Sequence, residues 1–304
     1  MDGIFELLQF SKASQEEQYS LSLEDSMYRL SKSFLDSLND DAIYEKESYG
    51  GEIKRGFHPS SICGAVCARK LCYEYLDTPK DVEDRIGHEL RRIFDNGSSV
   101  HDRWQNYLTL MSLKYPDKIE LIGDWRCKGC GIKYSPKKEV SFPIKGDKPY
   151  PECLGDIEPC TICGSTRWKY NEFRLSNDDL LIVGKRDGKI KLVEEDKTLL
   201  VEIKSIRSYM FNRLVYPYDK HKKQFSFYMF LDGTHEGLFL YENKDDQKIK
   251  ILYHEYNEAD IAEELKLVEV AAQNVKAGTI ANRIRTFPHS KHCKGCPWLS
   301  TCSK

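Results

Sequence analysis

The apolar positions of this chain alternate between the spacing of amphipathic helices and the short runs of buried strands. The helical spacing predicts helices at residues 84–112, 215–231 and 258–277, with Gly278 as the stop signal of the last one. The short runs predict a strand pair at residues 180–184 and 187–193, followed by strands at 199–204, 236–242 and 249–256. This order of elements predicts an α/β core with a mixed central sheet flanked by helices.

Three further segments lie around or within this core. Residues 1–55 are acidic and have a looser helical pattern, which predicts an N-terminal extension that caps the core or faces a partner. Residues 57–76 predict a helix whose N-cap is Ser60 or Ser61. Residues 120–175 are rich in Gly, Pro, Lys and Cys, and we interpret them as an insertion into the core.

Composition bears on whether the protein binds nucleic acid, crosses a membrane or is secreted. The 304 residues carry a net charge of −2, so the chain lacks the strong positive excess typical of many nucleic-acid binders. No run approaches the roughly 18 apolar residues of a membrane helix, and the N-terminus lacks the pattern of a secretory signal. We therefore expect a cytoplasmic protein, in which the 11 cysteines serve metal sites rather than disulfides.

Two C-x-x-C-G knuckles predict a structural zinc site inside the insertion. Their ligands are Cys127, Cys130, Cys160 and Cys163, and Cys153 between them is expected to be a free thiol. Basic and aromatic residues are interleaved around the knuckles: Lys128, Lys133, Lys137, Lys138, Arg167 and Lys169 with Tyr134, Trp168 and Tyr170. This mixture suits single-stranded nucleic acid, but it is equally compatible with an ordinary solvated face.

A second cysteine group lies at the end of the chain. Cys293, Cys296 and Cys302 supply three thiolates, so a closed site needs a fourth ligand from elsewhere. The candidates are Cys63, Cys67 and Cys72, of which we select Cys67. Four thiolates hold either zinc or an iron–sulfur cluster, and the spacing does not separate the two.

Candidate catalytic residues lie in the predicted sheet. In the strand at 199–204, Glu202 and Lys204 point to the same face and Ile203 points into the core. With Asp187 on the neighbouring strand, the pair forms a small site able to bind a metal ion and activate water. The alternative is a surface ion pair, which is common on strands.

Two weaker patterns flank these strands. Gly97-x-x-x-His101 in the first long helix offers an imidazole ligand with room left one turn earlier, although an isolated helical histidine is usually structural. Gln224 and Tyr228 are four residues apart and share one face of the helix that follows the E-x-K strand.

Taken in order, these motifs resemble the RecB-like branch of the PD-(D/E)XK nuclease superfamily, most closely its CRISPR-associated and AddB-type iron–sulfur exonucleases. The motifs are Cys67, Gly97-x-x-x-His101, Gly184-x-x-Asp187, Glu202-x-Lys204, Gln224-x-x-x-Tyr228 and Cys293, Cys296, Cys302. The resemblance covers residues 57–302. The chain has Ala68 where the family often has proline after its first cysteine.

The resemblance implies a restriction-endonuclease-like core at 56–119 and 176–304, a zinc ribbon at 120–175, and a 4Fe–4S cluster that pins the two ends of the core together. It implies Mg²⁺ or Mn²⁺ held by His101, Asp187, Glu202 and the Ile203 carbonyl. Lys204 would position or deprotonate water, and Gln224 and Tyr228 would orient the strand.

The expected function is that of a metal-dependent DNA exonuclease acting on single strands or duplex ends, in recombination, replication and repair, or CRISPR spacer acquisition, and often phage-encoded. The alternative is a catalytically quiet DNA-binding or assembly subunit. The motif G-x-x-x-x-G-K-[ST] is absent from the sequence, so a helicase motor would be a separate partner, as would a recombination protein or CRISPR integrase. No membrane contact is expected, and the sequence leaves the oligomeric state open.

Overall fold

A mixed sheet forms the centre of the fold. The computed structural model describes residues 23–33, 55–64, 67–81, 88–134, 140–142 and 159–304. Five long or central strands are β1 (Ile119–Cys127), β7 (Gly188–Leu192), β8 (Lys197–Ile206), β9 (Glu236–Asn243) and β10 (Ile249–Glu255). They lie in the order β10-β9-β8-β7-β1, and β8 and β9 are parallel while the other pairs are antiparallel. This mixed sheet confirms the predicted α/β core with a mixed central sheet.

The remaining strands are short. They are β2 (Lys133–Tyr134), β3 (Val140–Phe142), β4 (Trp168–Asn171), β5 (Arg174–Asn177) and β6 (Ile182–Lys185). The strands predicted at 180–184 and 187–193 do not pair with each other: β6 pairs with β5 in a separate hairpin, whereas β7 pairs with β1 and β8.

Helices cover both faces of the sheet. Residues 23–33 form α1. The others are α2 (Pro59–Ile62), α3 (Ala68–Tyr75), α4 (His88–Lys114), α5 (Ser208–Asn212), α6 (Asp219–Asp232), α7 (Ala262–Lys276), α8 (Lys291–Lys294) and α9 (Leu299–Ser303). In the part of the chain that the structure describes, no helix combines the length and the apolar character needed to cross a membrane.

The alternation of β8 sets which side chains face which helix. Leu199, Val201 and Ile203 pack in one buried cluster with α4, whereas Leu200 packs in another cluster with α6. Because side chains alternate along a strand, the positions of Glu202 and Lys204 follow Leu200 towards α6. The two helices therefore approach the same strand from opposite sides.

A third buried cluster joins α3 and α7 and includes Leu71 and Val268. The single helix predicted at 57–76 is divided into α2 and α3, and the predicted N-caps are wrong. His58 precedes α2, with Pro59 at its first position, and Cys67 precedes α3. The fixed φ of proline favours a helix start and moves the boundary before the two serines.

Strand β1 pairs with the central sheet at its start and with the strands of the cysteine-bearing segment at its end. Its first residues pair with β7 in the central sheet, and residues from Asp124 onwards pair with β2 and β4 at the root of the cysteine-bearing segment. Residue 120, where the insertion was predicted to begin, therefore lies inside a strand of the central sheet. Of the predicted acidic extension, only 23–33 and Arg55 are described, and Leu23 and Met27 join the buried cluster on α4.

Candidate active site and metal centres

Asp187 lies at the point where the β7–β8 ladder ends. The last backbone pair joins Gly188 and Val201, so the Ile203 N–H has passed the end of β7. The Asp187 carboxylate takes the place of the missing strand: its Oδ2 accepts the Ile203 N–H at 2.8 Å. Its Oδ1 lies 3.2 Å from Nδ1 of His101. The carboxylate thus joins the edge of the sheet to α4.

His101 projects from α4, and Gly97 lies one turn earlier. A Cβ added at Gly97 would meet no atom of the described residues within 4 Å, so the space beside this glycine is open. Burial alone would lower the pKa of His101, but the Asp187 charge and hydrogen bond outweigh it and raise the pKa to about 9. In this state His101 pairs with Asp187 as an imidazolium, and binding of a cation would release that proton.

Glu202 and Lys204 form a buried pair on the face of β8 that turns towards α6. The Glu202 side chain is 1% exposed, and its Oε1 lies 2.5 Å from the Lys204 ammonium. Burial raises the pKa of Glu202 to about 7, against the lowering effect of Lys204. The pair is therefore not the surface ion pair considered as an alternative.

Gln224 of α6 contacts this pair, and Tyr228 of the same helix contacts Gln224. Lys204 donates to Oε1 of Gln224 at 3.4 Å, and Nε2 of Gln224 donates to the Tyr228 hydroxyl at 3.3 Å. Gly184 on β6 lies directly under the tyrosine, where an added Cβ would stand 2.8 Å from its ring. The glycine of the G-x-x-D motif thus allows the Tyr228 ring to pack onto the strand that leads to Asp187.

Glu172 is a site residue that the sequence analysis missed. It follows β4, and Gln105 of α4 donates to both its Oε1 at 3.0 Å and the Asp187 carbonyl oxygen at 3.1 Å. Burial and then the Asp187 charge raise the pKa of Glu172. Nothing in the local sequence distinguishes this glutamate, because only the return of β4 beside β1 brings it to α4.

The ligand atoms of His101, Glu172 and Asp187 lie within 4.8 Å of one another. One imidazole nitrogen and two carboxylates suit Mn²⁺ or Mg²⁺. Glu202 is not part of this group, although the predicted set contained it and lacked Glu172. Oε2 of Glu202 is buried and has no hydrogen-bond partner within the described structure, so it also fits a role as ligand to a bound cation.

The ribbon cysteines form a compact thiol cluster. Cys127 and Cys163 have their sulfurs 3.5 Å apart, those of Cys130 and Cys160 are 3.6 Å apart, and all four lie within 4.8 Å. Four sulfurs bound tetrahedrally to zinc at about 2.3 Å lie about 3.8 Å apart, so the spacing fits one zinc ion. The glycine after each knuckle has a positive φ, which a side chain would disfavour.

Two of the aromatic side chains considered for base stacking on the ribbon are described by the structure, and both pack against the protein core. Tyr170 is buried and packs edge-on against Trp125, with ring centroids 5.5 Å apart. Trp168 packs against the same buried cluster. These rings stabilise the root of the ribbon and are not free to stack on bases. Lys137, Lys138 and the Tyr134 side chain lie outside the part of the chain that is described, as does Cys153.

The C-terminal cysteines and Cys67 line one cavity of about 280 Å³. Among the described residues, two groups have ligand atoms that all lie within 4.8 Å of one another: the four ribbon cysteines, and His101 with Glu172 and Asp187. The sulfurs of Cys67 and the C-terminal cysteines do not form such a group. Four basic side chains, Arg69, Lys70, Arg283 and His292, also line the cavity and suit an anionic occupant.

The alternatives to Cys67 lie elsewhere. Cys72 is buried under α7, where its thiol is 3.8 Å from the Ala271 carbonyl oxygen. Cys63 lies off the cavity, and burial followed by the Glu264 charge raises the pKa of its thiol to about 12. Independent contacts also hold the C-terminal segment to the start of the core, since Trp298 donates to the Thr78 carbonyl oxygen at 2.8 Å.

Comparison with known proteins gives distant structural similarities. Neither a protein-family model nor a curated protein matches the chain. Eight solved chains match. The chain is similar to the protein SSO0001, with 15% identity, 91% of this chain and 95% of that chain covered, and a TM-score of 0.35. It is also similar to the alkaline exonuclease LHK-Exo from Laribacter hongkongensis, with 14% identity, 74% and 90% coverage, and a TM-score of 0.39. The same exonuclease in complex with dAMP gives 15% identity at the same coverage and TM-score.

Proposed function

We propose that this chain is a metal-dependent nuclease that hydrolyses phosphodiester bonds of DNA. The observation that carries the proposal is the Asp187 carboxylate, which stands between His101 on one helix and the buried Glu202–Lys204 pair of β8. Carboxylates, an imidazole and a lysine close to one another are the groups that metal-assisted hydrolysis of a phosphodiester uses.

His101, Glu172 and Asp187 would hold a Mg²⁺ or Mn²⁺ ion, with Glu202 and the Ile203 carbonyl as further ligands. When bound, the ion polarises the scissile phosphate and lowers the pKa of a coordinated water. The Asp187–Ile203 hydrogen bond fixes the carboxylate against the end of the sheet, so the ligands are oriented before an ion arrives.

Lys204 is the proposed catalytic cation. Its ammonium is held between Oε1 of Glu202 and Oε1 of Gln224, at 2.5 and 3.4 Å. From this position it orients the attacking water and offsets negative charge that develops on the phosphoryl oxygens. Gln224 keeps Lys204 in place, Tyr228 supports Gln224, and both would orient the DNA strand.

The two cysteine groups have proposed structural roles. Cys67, Cys293, Cys296 and Cys302 would hold a 4Fe–4S cluster that joins the start and end of the nuclease core. Cys127, Cys130, Cys160 and Cys163 would hold one zinc ion that folds the ribbon.

We further propose exonuclease action on single strands or duplex ends, in recombination, repair or CRISPR spacer acquisition and beside a separate helicase or integrase. The test is digestion of 5′- and 3′-labelled single strands by the anaerobically purified protein with Mn²⁺. Stepwise shortening from an end supports the proposal. Binding of the strands without any cleavage would favour the alternative, a catalytically quiet DNA-binding or assembly subunit.

A further inference from the structure

A cleft of about 650 Å³ runs from the candidate active site to the root of the ribbon. His101 and Asp187 line it at one end, and Arg126 of β1 and Lys133 of β2 line it on the ribbon side. The segment that carries the zinc knuckles therefore forms a wall of the same cleft that contains the proposed metal ligands. This volume is within the range of ligand-binding clefts.

The cleft is rich in positive charge. Four arginine and lysine side chains line it, Arg126, Lys133, Arg174 and Lys185, against two carboxylates, Glu172 and Asp187. Both carboxylates belong to the group that would hold a cation. A chain with a net charge of −2 thus concentrates cations at one cleft, which attracts an anionic ligand without a basic overall composition.

The strand register explains why Arg126 and Lys133 act together. They are directly opposite each other in the β1–β2 ladder, so their side chains lie on one face. Trp125 and Cys127 alternate to the other face, where they are buried. Arg126 donates to Oδ1 of Asn171 at 3.4 Å, and Lys133 pairs with the buried Asp124 carboxylate. These two contacts hold both cationic side chains in place.

We propose that the root of the ribbon binds the phosphodiester backbone of the DNA strand that enters the active site, with Arg126 and Lys133 as its phosphate-binding residues. The inference rests on the proposed nuclease function, since it takes the strand as the occupant of the cleft. Guanidinium and ammonium groups bind phosphate oxygens without reading bases, so this wall gives affinity that is independent of sequence. Among the described residues of the ribbon, these two cations, rather than the packed rings of Trp168 and Tyr170, would contact the DNA strand.

The test is binding of a fluorescein-labelled single-stranded oligonucleotide, measured by anisotropy over a series of salt concentrations without added divalent cation. We expect Arg126→Gln to weaken binding several-fold and to reduce the slope of log K against log salt by about 0.7, the value for one phosphate contact on a single strand. Lys133→Gln is the second variant. Arg167→Gln is the matched control, because Arg167 is exposed on the ribbon and does not line the cleft.

Zinc content of one ion per chain in every variant shows that the ribbon remains folded. If Arg126→Gln and Lys133→Gln bind the strand with the same affinity and salt slope as Arg167→Gln, the proposal is overturned. Failure of the nuclease function gives a different result: the parental protein then binds the strand through these residues but does not cleave it when Mn²⁺ is added. Where cleavage occurs, the loss in Arg126→Gln is expected mainly in KM.

Discussion

The Asp187 carboxylate accepts the backbone N–H of Ile203 at 2.8 Å and so continues the β7–β8 ladder with a side chain where the backbone of β7 turns away. A buried N–H without a partner would cost about 1–3 kcal/mol, so the carboxylate has a structural role as well as a chemical one. A loss of activity on replacing Asp187 could therefore come from lost stability as well as from lost catalysis. Glu202 and Lys204 are better residues for a first test of the catalytic role.

Lys204→Ala is expected to reduce Mn²⁺-dependent cleavage of labelled single-stranded DNA by at least about 100-fold, the usual cost of removing a group that stabilises developing charge. Glu202→Gln, which keeps the shape of the side chain, is expected to have an effect of similar size. Lys197→Ala at the far end of β8 is the control, because Lys197 pairs with Glu236 and is outside the site. Parental cleavage rates in both site variants would show that these residues are not catalytic.

Glu172→Gln is expected to weaken Mn²⁺ binding by at least about tenfold, because it removes one of three anionic or imidazole ligands that lie within 4.8 Å of one another. Isothermal titration with Mn²⁺ measures this without any substrate. Glu194→Gln in the turn after β7 is the control, since Glu194 is largely exposed. An unchanged Mn²⁺ affinity in Glu172→Gln would place the ion on Glu202 and leave Glu172 as a structural acceptor for Gln105.

The sequence predicted β8 well because the apolar residues of this strand are buried on both faces of the sheet. A short, nearly continuous apolar run is typical of a central strand that is covered on both sides. The observed strand, Lys197–Ile206, extends the predicted 199–204 at both ends. The alternation rule then placed Glu202 and Lys204 on one face, and their 2.5 Å contact agrees with that placement.

Strand β1 and Glu172 were missed for a common physical reason. The first residues of β1 pair with β7 in the central sheet and its last residues pair with β4 at the ribbon root. The burial of its side chains therefore depends on two different sets of neighbours, and its hydrophobic pattern does not follow one simple alternation. Glu172 reaches the site only because β4 returns beside β1, a tertiary relationship that no local pattern encodes. The resemblance to a nuclease family could not supply it either, since Glu172 lies in a segment outside the family's minimal core.

Anaerobically purified protein is expected to be brown, with iron and sulfide bound, because Cys67, Cys293, Cys296 and Cys302 line one cavity and four thiolates are the ligand set of a 4Fe–4S cluster. Cys67→Ser and Cys302→Ser are expected to lose the colour and most of the iron. Cys63→Ser and Cys72→Ser are matched controls from the same segment and should retain both. A colourless protein with two zinc ions per chain would instead assign zinc to this site.

Asp232 is expected to make stability depend on acid pH. Its side chain is 1% exposed and pairs with Arg186 and Lys189. Burial alone would raise the pKa of Asp232, but the Arg186 charge and the Lys189 hydrogen bond hold it below its usual value of 3.8. The resulting stabilisation is complete above the unfolded-state pKa and is lost as the pH falls through the lower folded-state pKa.

Asp232→Asn is therefore expected to lower the free energy of unfolding at pH 7 by about 3–5 kcal/mol, since it leaves buried cations without their counter-charge. In urea unfolding the difference from the parental protein should shrink as the pH falls below about 4. Asp246→Asn, at an exposed pair with Lys248, is the control and should change stability little. A difference that stays constant from pH 7 to pH 3 would exclude a contribution from the Asp232 charge.

One zinc ion per chain is expected at the ribbon, because the sulfurs of Cys127, Cys130, Cys160 and Cys163 already lie within 4.8 Å of one another. Backbone N–H groups of Cys130 and Gly129 overcome the effect of burial and lower the pKa of Cys127 to about 6, so one thiol is available as a thiolate near neutral pH.

Cys163→Ser is expected to lose the zinc measured by elemental analysis and to weaken binding of single-stranded DNA, because Arg126 immediately precedes the first knuckle. Cys153→Ser is the control and should keep the metal. Full zinc occupancy in Cys163→Ser would mean that this thiol is not a ligand.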